Sequence, residues 1–215
     1  MKRMTFHNPL IAKEHPTMHA PRRVAQKLLV KRPLAAIVLL AGINFLQPNL
    51  LAGELAVPLK NLNMEEGVGS PAAWQKGTPV TGVEQTWDRT TAHAGKASLC
   101  LKKTAQRYFP ITQWNQSVTV EPSSAVRKLR VRCWVKAQAV TKAIVDVTYQ
   151  APQPGHKWAA YIGQKQDSDP VATHDWKLYE ATVEVPAQAS KVGIALQIYG
   201  PGTVWFDDLD VAWAG

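Results

Sequence analysis

The chain has 215 residues, and 25 Lys and Arg against 16 Asp and Glu give a formal net charge of +9. Eight of those cations precede residue 53, where Glu14 is the one acid, so the remainder carries only +2. With that segment set aside, no global charge argues for a nucleic-acid partner.

At the N-terminus, Lys31 and Arg32 precede an apolar run from Pro33 to Leu46, and small Ala52 and Gly53 follow. This is a secretory-signal layout. The run is shorter than the roughly 20 residues of a comfortable membrane span. Residues 1–52 are read as a signal peptide or over-long leader, with an uncleaved anchor as the alternative and Met18 as a possible start. Export would make the protein secreted, or place it in the periplasm or cell envelope. It would also permit a disulfide between Cys100 and Cys133; two small buried thiols is the other reading.

From Leu59 onward helical periodicity is almost absent. Short alternating runs stand between Gly, Pro, Asn and Asp: KASLCLKK, QSVTVEP, KLRVRCWVKA, KAIVDVTYQ, KWAAYIGQ, WKLYEATVEVP, KVGIALQIYG and TVWFDDLDVAW. Strands at this spacing without intervening helices predict an all-β fold, a two-sheet antiparallel β-sandwich over residues 57–215. About 150 residues suffice for one such core.

Alternation assigns faces. Leu129, Val131, Cys133 and Val135 point inward, leaving Arg130, Arg132, Trp134 and Lys136 outside. Val192, Ile194, Leu196 and Ile198 likewise oppose Gly193, Ala195, Gln197 and Tyr199. Val145, Val147 and Tyr149 oppose Ile144, Asp146, Thr148 and Gln150. Small Gly193 and Ala195 beside Gln197 and Tyr199 suggest a shallow groove. In the last run, alternation places Trp205, Asp207, Leu209 and Val211 on one face, where an unpaired carboxylate would be costly. Trp87, Trp114 and Trp158 read as loop aromatics, and Trp74, Trp176, Trp205 and Trp213 as packing residues.

The order of motifs resembles carbohydrate-binding modules of the galactose-binding-like jelly-roll type. NLNMEEG (61–67) is similar to their opening element, and AHAGKASLCL (92–101) and KLRVRCWVKA to two of their strands. WKLYEATVEVP and GPGTVWFDDLDV are similar to the last two elements. The match covers about residues 60–213 and implies a jelly roll. It also implies a structural Ca²⁺ held by Glu65, the Gly95 and Lys96 carbonyls, and Asp207 (or Asp208 in a register shifted by one). His93 stands where some members carry an acid. The alternative without metal has Asp207 accepting loop N–H bonds or pairing with Lys96.

Little points to catalysis. A glycosidase needs two carboxyl groups about 5–9.5 Å apart, and only Asp146 faces the proposed groove. His93, His156 and His174 read as loop residues, and the sequence has no nucleophile elbow, zinc-ligand spacing or phosphate-binding loop. Sugar recognition needs an aromatic ring for the pyranose face and polar groups for its hydroxyls. Arg130, Arg132, Trp134, Asp146, Gln150, Gln197 and Tyr199 supply that mixture, with the arginines pointing to acidic glycans. The expectation is an exported non-catalytic module binding oligo- or polysaccharide on a concave sheet face. An envelope adhesion protein with a protein partner is the second reading, and a small jelly-roll hydrolase or lyase the third.

Overall fold

The computed structural model describes residues 55–215, and every regular element in them is a strand. The leader expected over residues 1–52 lies outside the described residues. In chain order the strands are β1 (Leu55–Ala56), β2 (Gln75–Lys76), β3 (Val83–Asp88), β4 (Ser98–Lys103), β5 (Thr112–Thr119), β6 (Arg127–Val140), β7 (Lys142–Gln150), β8 (Pro154–Gly163), β9 (Ala172–Val185), β10 (Lys191–Ile198) and β11 (Gly202–Ala214). No helix among the described residues is long and apolar enough to cross a membrane.

Two antiparallel sheets form a sandwich. The six-stranded sheet runs β3-β4-β11-β6-β9, with β1 also paired to β11, and the five-stranded sheet runs β2-β5-β10-β7-β8. From β4 onward the chain passes repeatedly between the sheets, as in a jelly roll. Alternation fills the space between them. Leu129, Val131, Cys133 and Val135 of β6 meet Val145 and Val147 of β7 and Ile194, Leu196 and Ile198 of β10 in one apolar cluster. Each such side chain, fully buried, contributes roughly 1.5–3 kcal/mol. Trp114, expected in a loop, lies on β5 and is buried in this core.

The two adjacent aspartates are explained by a β-bulge. Asp207 pairs with Trp134 and Asp210 with Arg132, so three steps on β11 answer two on β6. Asp208 takes up the extra residue at φ 43°. The bulge changes the phase of alternation. Val204 and Phe206 face the core before it, Leu209 and Val211 after it. Asp207 therefore does not share a face with Leu209 and Val211 as uninterrupted alternation predicted.

The opening segment adds Val57, Leu59, Met64 and Trp74 to the core. The Asn61 side-chain amide donates to the Glu66 and Ala72 carbonyls, and its oxygen accepts from Glu66 N–H. The indoles of Trp74 and Trp87 donate to the Asn61 and Met64 carbonyls. Leu209 N–H donates to Leu62 O, which ties this segment to the bulge. Cys100 and Cys133 are both free and buried. Cys133 faces the core, Cys100 points the other way between inward Leu99 and Leu101, and β11 separates their strands.

Candidate functional site

The outer face of the five-stranded sheet is set by register. Gln113, Gln197 and Ile144 form one row across β5, β10 and β7; Asn115, Ala195 and Asp146 form the next; Ser117, Gly193 and Thr148 the third. β8 extends these rows with Tyr161, Trp158 and His156. A cleft of about 470 Å³ crosses this face. Gln113, Asn115 and Ser117 line one side, Thr148 and His156 the other, and Ala195 the floor. Gly193 does not widen this cleft. A Cβ on Gly193 would stand 2.6 Å from the Gln116 carbonyl and 2.9 Å from Thr148 Oγ1, so that glycine answers crowding from its neighbours.

A polar relay runs along the cleft. Tyr199 O–H donates to Gln197 at 3.0 Å, and Gln197 Nε2 donates to Gln113 Oε1 at 2.8 Å. Asp146 is 4% exposed and meets His156 Nδ1 at 3.2 Å. Burial raises the Asp146 pKa, and the His156 contact opposes that rise. Asp146 and Gln197 were expected on an open face. They lie beneath its surface instead, because His156 and Tyr199 bond over them.

The same face also carries an aromatic cluster around Lys142 and Tyr199. Trp158 is 48% exposed, and Phe109 is 67% exposed with its ring edge-on to Tyr199 at 5.9 Å. Lys142 Nζ lies over the rings of Tyr199, Trp158, Tyr161 and Tyr108. The loop carrying Tyr108 and Phe109 is pinned from inside. Lys103 is buried, and its ammonium donates to the Tyr108 and Pro110 carbonyls at 3.0 and 3.1 Å. Burial, then nearby Arg107, lowers the Lys103 pKa.

The seven residues expected to share a groove are not brought together. Asp146, Gln150, Gln197 and Tyr199 belong to this face; Arg130, Arg132 and Trp134 lie on β6, in the other sheet. The sandwich puts its core between the two sets. On the six-stranded face the cations meet acids. Arg130 pairs with Asp210 at 2.9 Å, Arg132 with Glu180 at 3.1 Å and Lys136 with Asp175 at 2.8 Å. Trp134 stacks on His93. The expectation of an acidic-glycan row there is corrected by these pairings.

The sequence matches no family model and no curated protein. Solved structures do resemble it. A cyclase from Fischerella sp. is 14% identical with a TM-score of 0.52, over 76% of this chain and 98% of that one. The CBM22-1 xylan-binding domain of Xyn10C from Paenibacillus barcinonensis is 16% identical at TM-score 0.49, over 75% of this chain and 97% of that one. The CBM22-1–GH10 modules of xylanase 10B from Clostridium thermocellum, solved with xylohexaose, are 11% identical at 0.49; the chain spans 26% of that protein and 66% of its own length is covered. The likeness is one of fold.

The residues that the resemblance gave to calcium sit together near the bulge. Glu65 Oε1 accepts N–H bonds from Lys96 at 2.7 Å and Ala97 at 2.9 Å. Asp207 is wholly buried and accepts from His93 N–H at 2.8 Å and Asp208 N–H at 2.7 Å. Calcium takes about six to eight oxygens, whereas here amide hydrogens point at the carboxylates. Among the described residues no group of three or more His, Cys, Asp or Glu is placed to hold a metal. The Glu65 and Asp207 carboxylates are engaged by amide donors of the 93–97 loop and the bulge. Burial drives the Asp207 pKa up to about 6, against the pull of the loop N–H bonds.

Proposed function

We propose that this chain is an exported, non-catalytic module that binds oligo- or polysaccharide in the cleft of its five-stranded sheet. The observation that carries this reading is that the cleft and an exposed aromatic cluster share the outer face of one sheet. Trp158 and Phe109 offer flat apolar surface to a pyranose. Gln113, fixed from below by Gln197, and Asn115 offer polar groups to its hydroxyls. The cleft lining carries no carboxylate, and Asp146 beneath it is a single acid engaged by His156. That supports binding rather than cleavage by a pair of acids. A ligand touching so few groups should bind modestly, with Kd on the order of 10–1000 μM.

Affinity electrophoresis of the full chain against a panel of soluble polysaccharides tests the reading. Trp158→Ala and Ala195→Leu should release the retarded band, while Arg132→Ala, on the opposite face, should leave it in place. Retardation that Arg132→Ala abolishes and Trp158→Ala spares would overturn it. So would reducing-sugar or unsaturated-product release from any of the polymers.

A further inference from the structure

We infer that the polysaccharide taken by this cleft is acidic, and that Lys142 receives its anionic group, a carboxylate or a sulfate ester. This rests on the reading of the cleft as a glycan site and names the ligand class for it. The Lys142 ammonium is 4.5 Å from the ring centroid of Tyr199, 4.9 Å from Trp158, 5.5 Å from Tyr161 and 6.0 Å from Tyr108. Ring quadrupoles hold a cation in place, but they bring no net charge to neutralise it.

Among the described residues no carboxylate forms an ion pair with Lys142, and its ammonium has no hydrogen-bond acceptor. Asp167 lines the same hollow of about 180 Å³ without reaching ion-pair distance. The contrast with β6 is direct, since Arg130, Arg132 and Lys136 each have an acid. Lys142 is therefore a positioned cation whose partner the fold does not supply.

Its surroundings point the same way. Trp158, whose ring carries the ammonium, is half-exposed. A sugar held at that indole would lie close to the Lys142 ammonium, which is 4.9 Å from the ring centroid. Farther along, Lys191 and His156 line the cleft, and no acid does. A chain of uronate or sulfated sugars would meet Lys142 and Lys165 at one end, where Asp167 is the one acid lining the hollow, and Lys191 at the other. A neutral chain would leave Lys142 desolvated without compensation, which selects against it.

The experiment compares the full chain against polygalacturonate, its methyl ester, dextran sulfate and unmodified dextran, at low and high salt. Expected is a preference of about tenfold or more for a charged polymer over its neutral counterpart, the size of one charge-assisted hydrogen bond, and lost at high salt. Which acidic polymer is preferred assigns carboxylate or sulfate. Lys142→Gln should abolish the preference and Lys142→Arg retain it, with melting of both variants recorded. Equal binding of charged and neutral polymers by the wild type overturns the inference and leaves the glycan-site reading standing. Failure of every polymer to bind overturns both.

Discussion

His93 lies flat on Trp134, with ring centroids 3.9 Å apart and planes 13° from parallel. The same imidazole meets Asp208 through Nδ1 at 2.7 Å, and Trp176 stands edge-on to it at 5.8 Å. One ring thus covers the indole and braces the bulge. The indole face that a sugar would need is occupied by protein. His93→Ala removes the stack and leaves Asp208 without its partner. We expect a loss of about 1–3 kcal/mol in chemical denaturation, the cost of a partly buried hydrogen bond and its packing, with polysaccharide retardation unchanged. A variant as stable as wild type would refute the bracing role.

Gly193 makes a second prediction. A methyl group there collides with the Gln116 carbonyl and with the Ser117 and Thr148 side chains. Gly193→Ala should cost roughly 1–3 kcal/mol by overpacking. Ala195, one residue pair along, is 1% exposed, so Ala195→Leu should also cost stability by overpacking, but with loss of binding at the cleft that it floors. Melting curves of the two variants, set beside their binding, separate a packing glycine from a ligand floor.

Asp207 gives a pH dependence whose sign is fixed. Its carboxyl is raised from 3.8 to about 6, chiefly by burial, so the folded state holds that proton more tightly than the unfolded one. Its contribution to stability is complete below about pH 3.8 and is lost as pH rises through about 6. The difference in melting temperature between wild type and Asp207→Asn should therefore shift against the wild type as pH climbs through that window. A gap that stays constant, or moves the other way, refutes the assignment.

The N–H bonds to Glu65 and Asp207 lead to a fourth expectation. Both carboxylates already hold the 93–97 loop through amide donors, so chelation should leave melting unchanged and added Ca²⁺ should not raise it. Glu65→Gln should weaken the loop, because its acceptor bonds are charge-assisted. A calcium-dependent rise in melting temperature would show that the loop reorganises around a cation.

The sandwich was legible because period-two alternation is a local property. β6, β7 and β10 each carry it, and their inward residues are the ones found in the core or packed against it. β1 and β2, two residues each, are too short to show it. What alternation could not reveal is which sheet a strand joins. Arg130 and Gln197 both point outward, but from opposite outsides of the molecule. The bulge was hidden for a related reason. One extra residue reverses the phase, and DDLD reads the same whether or not the strand is interrupted. Lys142 went unremarked because a lysine at the head of an apolar run looks like a solvated strand end. Only the tertiary pairing brings four distant rings to it.

The placement of the two cysteines gives the protein an internal clock. Each thiol is shielded, with the Cys100 pKa pushed up to about 12 by burial and that of Cys133 higher still. With a strand between them and opposite orientations, the two sulfurs have no partner in each other for oxidation to join. An alkylating reagent can reach either sulfur only while the chain is open. The labelling rates then time the opening of the two sides of one sheet separately, without a probe having to be introduced.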